Sequence, residues 1–235
     1  MQLEGITALV TGANRGIGKQ FARALVEAGA AKVYAGARDP ASVTDPGVVA
    51  VQLDVTDDAS VRALAAELGD VQLVINNAGV GAPALPLDID LEQARWEFDV
   101  NYYGTLRVAQ AFAPILARNG GGAVVNMLSA LSWFAMPQLS NYSATKSAAW
   151  SLTNALRLQL REQGTRVVGV HVGYVDTDLT AGLEGDKVHV SAVSDALLAG
   201  LRADEDEVLV DDTSRQVRAG LSAPLSALYP DPAAA

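Results

Sequence analysis

Ile6-Thr-Ala-Leu-Val-Thr-Gly-Ala-Asn-Arg-Gly-Ile-Gly18 is the stretch on which the reading of this chain turns. Ile6 to Val10 is a short apolar run without alternation, the pattern of a strand buried on both faces. Three glycines follow in the spacing Gly12-x-x-x-Gly16-x-Gly18, enclosing Asn14, Arg15 and Ile17. From Lys19 to Ala28 the apolar residues Phe21, Leu25 and Val26 recur at helical intervals. Strand, glycine turn and helix together aim backbone N–H groups and a helix N-terminus at an anion such as a pyrophosphate. The spacing differs from the commoner G-x-G-x-x-G. A glycine turn without a ligand is the competing reading, and the flanking strand and helix weigh against it.

Working outward, Lys32 to Gly36 closes the first strand–helix–strand unit and runs into Ala37-Arg38-Asp39. Arg38 lies 20 residues past Gly18, where an acidic residue would grip a ribose 2′-hydroxyl and an arginine accommodates a 2′-phosphate. With Arg15 as a second cation, the pattern favours NADP(H) over NAD(H), while Asp39 offers the alternative ribose-binding role. Val48 to Leu53 reads as a third strand with Asp54 and Val55 at its exit. Asp54 either accepts from an adenine amino group or caps its own turn, before a helix start at Thr56-Asp57-Asp58. Val71 to Ile75 is a fourth strand leading into Asn76-Asn77-Ala78-Gly79. Small and amide residues at a strand's carboxyl end let a ligand approach the backbone. Leu91 to Arg118 is helical with an irregularity at Asn101 and Gly104, and Asn101 is a candidate for binding water or backbone. Strands follow at Gly122 to Leu128, Arg166 to Val172 and Glu207 to Val210. Ser140 or Asn141 caps a helix that reaches about Glu162, a further helix spans Ser191 to Leu201, and the tail from about residue 213 reads as a helix and a mobile Pro/Ala-rich end. The alternation predicts one domain, 1–235, built on a single doubly wound parallel sheet of about seven strands with helices on both faces.

The stretch Ser129 to Lys146 carries no charge until its last residue. If it is helical after Pro137, Tyr142 and Lys146 lie on one face, a turn apart. An ammonium beside a phenol favours phenolate and lowers its pKa from about 10. Such a phenol exchanges protons with an alcohol or a developing alkoxide, and the Ser129 hydroxyl can bond the same oxygen. Tyrosine and lysine four apart are also common on solvated helices, so the pair gains its meaning from the other segments. Around it, Trp133, Phe134, Met136, Leu139 and, after the sixth strand, Tyr174 are read as an apolar pocket lining.

Bulk properties narrow the function classes. A net charge of −10 argues against a nucleic-acid partner, whose phosphates would be repelled. The chain has no cysteine and two histidines far apart in sequence, which offers neither a thiol nucleophile nor a metal site. Asn119 to Thr145 is uncharged, but its glycines, Asn126, Pro137, Gln138 and serines do not suit a spanning helix. The N-terminus lacks the basic start and apolar run of a secretory leader, so the expectation is a cytoplasmic protein away from membranes.

Taken together, T-G-A-N-R-G-I-G at 11–18, Asp54, N-N-A-G at 76–79, Asn101, Ser129, Tyr142-x-x-x-Lys146 and Val175-Asp-Thr177 resemble the short-chain dehydrogenase/reductase family. The resemblance covers Ile6 to about Thr180 and implies a Rossmann-type fold. It implies Tyr142 as general acid/base, Ser129 as the group orienting the substrate oxygen, and Lys146 as a holder of the nicotinamide ribose and tuner of Tyr142. It further implies Asn101 as the anchor of a relay water. Thr177 and the Val175 backbone, with Gly173, would hold the nicotinamide carboxamide, and Asn77, Ala78 and Gly79 would line the adenosine side.

Two departures from the family pattern carry expectations. Val172-Gly173 replaces Pro-Gly, so the turn should be looser. Val208-Leu-Val-Asp-Asp212 replaces a Gly-rich end, so a dimer through the helices at 91–118 and 141–162 is expected over a tetramer. The short segment 177–191 should make a small lid over an open pocket. The expected activity is an NADP(H)-dependent carbonyl reductase or alcohol dehydrogenase acting on an apolar ketone, aldehyde or secondary alcohol. The alternatives are an NAD(H)-preferring alcohol dehydrogenase, a non-catalytic dinucleotide-binding regulator on the same fold, and a nucleotide-sugar epimerase or dehydratase, for which the C-terminal part is short.

Overall fold

A computed structural model describes residues 1–229. The opening apolar run becomes β1 (Thr7–Thr11), every residue of it buried. It lies between β2 (Lys32–Ala37) and β4 (Leu73–Asn76), parallel to both. Beyond β2 lies β3 (Val49–Gln52), and beyond β4 follow β5 (Ala123–Met127), β6 (Arg166–His171) and β7 (Glu207–Leu209). The order is β3-β2-β1-β4-β5-β6-β7, with every ladder parallel. Strand order therefore reverses between β1 and β4, and the crevice at their carboxyl ends is where such sheets bind ligands.

Alternation within each strand feeds two cores. Ala8 and Val10 face one side with Leu73, Ile75, Val125 and Val168, covered by α1 (Gly16–Glu27) and α6 (Val190–Arg202). Leu9, Val74, Val124 and Val167 face the other, covered by α2 (Asp58–Glu67), α4 (Thr105–Arg118) and α5 (Ser140–Gln159). Two-sided burial is why these strands lack polar alternation. No helix among the described residues is long and apolar enough to cross a membrane.

The helical stretch after Asp90 is three segments in series: α3 (Leu91–Phe98), a π-helical turn at Asp99–Gly104, and α4. The irregularity expected at Asn101 and Gly104 is this π turn. A Cβ at Gly104 would lie 2.9 Å from Val55 Cγ2, so glycine lets the helix press on the loop after β3.

Two expectations need correction. Neither Ser140 nor Asn141 caps α5: both already lie in its first turn, Leu139 precedes the helix without a side-chain cap, and the Asn141 amide donates to a buried carboxylate on α3. The turn at Val172-Gly173 is pinned, not loose: Gly173 N–H donates to Asp211 Oδ2 at 2.8 Å. Asp211 Oδ1 meanwhile accepts from Ser214 N–H at 2.8 Å and caps α7 (Asp212–Gly220). Part of the acidic segment 204–212 is thus structural. A further short helix, α8 (Leu225–Leu228), follows, and the expected Pro/Ala-rich end lies outside the described residues.

Candidate active site

The glycine turn leaves β1 with Gly12 at φ +64° and enters α1 through Gly16 at φ +54°, both left-handed conformations that side chains strain. A Cβ at Gly12 would sit 3.0 Å from Ala78 Cα, so the turn lies flat against the loop after β4. Thr11 Oγ1 accepts from the backbone N–H groups of both Asn77 and Ala78 at 3.0 Å. The Asn77 side-chain amide donates back to Thr11 O and Gly12 O. Arg15 precedes α1 without a side-chain cap, leaving the first N–H groups of the helix for an anion. A backbone cradle with uncapped donors suits the pyrophosphate of a dinucleotide.

This cradle forms one wall of a cavity of about 610 Å³ along the carboxyl ends of the strands. All residues read as dinucleotide-binding line it except Gly18. A Cβ at Gly18 would lie 2.3 Å from both Gly12 O and Asn77 Nδ2, so this glycine serves close packing beneath the turn. At one end, Arg38 and Asp39 are both exposed. The Asp39 carboxylate accepts from Ala41 N–H at 3.0 Å and starts the turn Pro40–Ser42. Arg15 pairs with Asp178 at 2.8 Å, both largely exposed, and Arg38 has no ion-pair partner among the described residues. Asp54 caps its own turn through Thr56 N–H and Oγ1, at 2.9 and 2.7 Å. Burial works against its charge, but the Thr56 bonds and the nearby guanidiniums of Arg38 and Arg107 leave its pKa lowered.

At the other end stand Ser129, Tyr142 and Lys146, brought together from the exit of β5 and from α5. The Lys146 ammonium is buried, donates to Met127 O at 2.8 Å and lies 5.6 Å from the centre of the Tyr142 ring. Burial lowers its pKa to about 8. The expectation that Lys146 lowers the Tyr142 pKa is not met here. Burial pushes the phenol up to about 12; the Ser129 hydroxyl opposes this and the Glu97 charge adds to it. The physical reason is that desolvation penalises both ions, and the ammonium is directed at a carbonyl.

Asn101, buried in the π turn, does not line the cavity. It accepts from Val80 N–H at 2.9 Å and donates to Val80 O at 2.8 Å, the backbone-binding alternative of the two read for it. It also donates to Thr145 Oγ1 at 2.9 Å, and that hydroxyl donates to Tyr142 O at 2.7 Å.

A second cavity, of about 480 Å³, opens beside the first. Phe134, Met136, Leu139 and Tyr174 line it as expected, with Leu131, Leu179 and Leu183. Trp133 does not. It stacks on the buried His171 at 3.8 Å and 12°, and meets Trp150 edge-on. The large ring goes to the core side because a flat buried imidazole offers it a partner.

Sequence reasoning missed three groups. His171 is fully buried, and since a carbonyl can only accept, its Nδ1–H donates to Ser129 O at 3.1 Å. Asp211 holds Gly173. Glu97 is completely buried on α3. An acidic residue in a helical segment reads as solvated, and nothing short of the fold marks Glu97 as interior.

The comparisons with known proteins agree with this architecture. The family profile for short chain dehydrogenase matches residues 6–187. The chain is 37% identical over 194 residues to sorbitol dehydrogenase of Cereibacter sphaeroides, covering 78% of this chain and 76% of that protein. It is 38% identical over 192 residues to cis-4-hydroxycyclohexanecarboxylate dehydrogenase of Sinomonas cyclohexanicum, covering 76% and 77%. Among solved structures, a short chain dehydrogenase from Burkholderia cenocepacia J2315 in complex with NADP superposes with a TM-score of 0.92 at 41% identity, covering 97% and 98%. With the glycine turn, the reversal of strand order and the Ser129–Tyr142–Lys146 cluster in one crevice, and with a profile match across most of its length, this chain belongs to the short-chain dehydrogenase/reductase family of oxidoreductases.

Proposed function

We propose that the chain is an NADP(H)-dependent carbonyl reductase or alcohol dehydrogenase for small apolar ketones, aldehydes or secondary alcohols, with Tyr142 as its acid/base. One observation carries this: the two cavities share Ser129 and Tyr142 as common walls. A ligand in the larger cavity and a substrate in the smaller would therefore meet at a hydroxyl and a phenol. When bound, the dinucleotide supplies the hydride donor or acceptor. Tyr142, held protonated through the neutral range by burial, gives its proton to the substrate oxygen as that oxygen gains negative charge. Ser129 Oγ, fixed by accepting from Leu131 N–H at 3.1 Å, presents its hydroxyl to the same oxygen. Lys146 places a cation 5.6 Å from the centre of the phenol ring and would hold the ribose of a bound dinucleotide.

The smaller cavity is walled by leucines, Phe134 and Met136, and Asp186 is the one charged side chain in its lining. This favours neutral apolar substrates and disfavours carboxylates. The free guanidinium of Arg38 supports the 2′-phosphate preference, as does the likeness to the NADP-bound protein. We propose a homodimer through the helical stretches at 91–118 and 141–162, where Tyr103 of the π turn and Leu158 of α5 are exposed. Segment 177–191, which contributes Leu179 and Leu183, is proposed as a small substrate lid.

The test is NADPH consumption with a panel of carbonyl compounds. Neutral apolar ketones and aldehydes should turn over and their carboxylated analogues should react at least roughly tenfold more slowly, as expected from an unpaired charge. Turnover confined to carboxylates, or none at all, would overturn the reading.

A further inference from the structure

Glu97 is the one acidic side chain among the described residues that is fully buried, and it has no cation partner there. Its charge is held by amides alone. Oε1 accepts from Ala82 N–H at 3.0 Å and, more distantly, from Gln93 Nε2 at 3.4 Å. Oε2 accepts from Asn141 Nδ2 at 2.7 Å. A lone buried carboxylate is costly, so its retention in an interior position asks for a role.

Its partners supply one. Asn141 directly precedes Tyr142 in the first turn of α5, so one oxygen of Glu97 fixes the helix end that carries the phenol. Ala82 directly follows Gly81, whose added Cβ would lie 2.8 Å from Tyr142 Cδ2; the Gly81 backbone is packed on the Tyr142 ring. The other oxygen of Glu97 thus holds the strip of chain that backs that ring. The same strip is held two residues earlier by Asn101 on Val80. Residues 97 and 101 are one turn apart across the π turn. Both positions of the helix therefore grip one loop.

We propose that Glu97 is a positioning residue for Tyr142: it clamps Gly81–Ala82 and Asn141 on two sides of the ring and so fixes the direction of the phenol between the two cavities. This rests on the reading of Tyr142 as acid/base. The groups that bear on the phenol are Lys146 on its own helix, Ser129 after β5 through its hydroxyl, and Glu97 on α3 through its charge. Glu97 is the anion of the set, so its removal also eases ionisation of the phenol.

The test is Glu97→Gln in the full chain, which keeps the shape and the bond to Ala82 but opposes an amide donor to Asn141. NADPH affinity, read by fluorescence, should stay within about threefold and KM for the carbonyl should change little. kcat should fall about tenfold as the ring loses its support. The ascending limb of alcohol oxidation should move to lower pH by about half a unit or more. Asn141→Ala, which leaves the carboxylate in place, should lower kcat in the same direction and serves if Glu97→Gln does not fold. Unchanged kcat and an unmoved limb in a folded variant would overturn the proposal. If the parent chain shows no turnover, the functional reading fails first, and Glu97 is then read by the tyrosine Cζ resonance of residue 142, assigned with Tyr142→Phe. A shifted or broadened resonance in Glu97→Gln supports the clamp, and an identical one overturns it.

Discussion

Arg38 and Arg15 both reach the larger cavity, yet they are not equivalent. Arg15 already shares its charge with Asp178, while Arg38 has no ion-pair partner among the described residues. A charge-assisted bond to a phosphate is worth about 1.5–3 kcal/mol, so Arg38→Asp should lower the NADPH-over-NADH ratio of kcat/KM by roughly 10- to 100-fold. An unchanged ratio would retire the 2′-phosphate argument. At this scale the sequence was most informative where chemistry demands a residue type at a fixed interval. The glycines at 12 and 16, Ser129, Tyr142 and Lys146 all stand in the crevice their spacing implied. It was least informative where burial decides. Glu97 and His171 look like ordinary helix and strand residues, Trp133 looks like a pocket residue, and the Tyr142 pKa moves opposite to the pairwise argument because desolvation raises it while the lysine ammonium is turned to the Met127 carbonyl.

Elements were read well wherever burial imposes a continuous apolar run, as in β1, β4 and β5. Their ends were less legible, because side chains from distant segments set them. Asn141 lies inside the first turn of α5, where its amide donates to Glu97 and not to the helix end. Asp211 was unremarkable in an acidic stretch until β6 and α7 brought it to Gly173. This contact yields an element-scale prediction. Asp211→Ala removes the cap of α7 and the acceptor of Gly173 N–H together. Loss of a cap costs about 1 kcal/mol, and orphaning the Gly173 donor adds to it. At this chain length Tm should drop by roughly 4 °C or more, and Asp211→Asn, which can still cap, by less. Equal melting of Asp211→Ala and the parent would remove the structural role assigned to Asp211.

At the scale of the whole molecule, the sheet's reversal of order places the larger crevice beside an apolar chamber, and a buried histidine on β6 makes stability depend on pH. His171 has its pKa lowered to about 4, chiefly by burial, with the Ser129 carbonyl and Glu207 opposing the shift. The unfolded chain takes up a proton near pH 6.5 that the folded chain refuses until about 4, so stability falls as pH drops through that window. The loss is about 3 kcal/mol at most. Unfolding free energies measured by urea across that window should show a shallower slope for His171→Phe than for the parent, and identical slopes would contradict the assignment. The central claim remains that the phenol at the junction transfers the proton. Tyr142→Phe, assayed for carbonyl reduction alongside NADPH binding, tests it most directly. The account predicts binding within about threefold of the parent and a kcat lower by about 10² to 10⁴, the usual contribution of a positioned acid. Binding intact with turnover near the parental rate would contradict it.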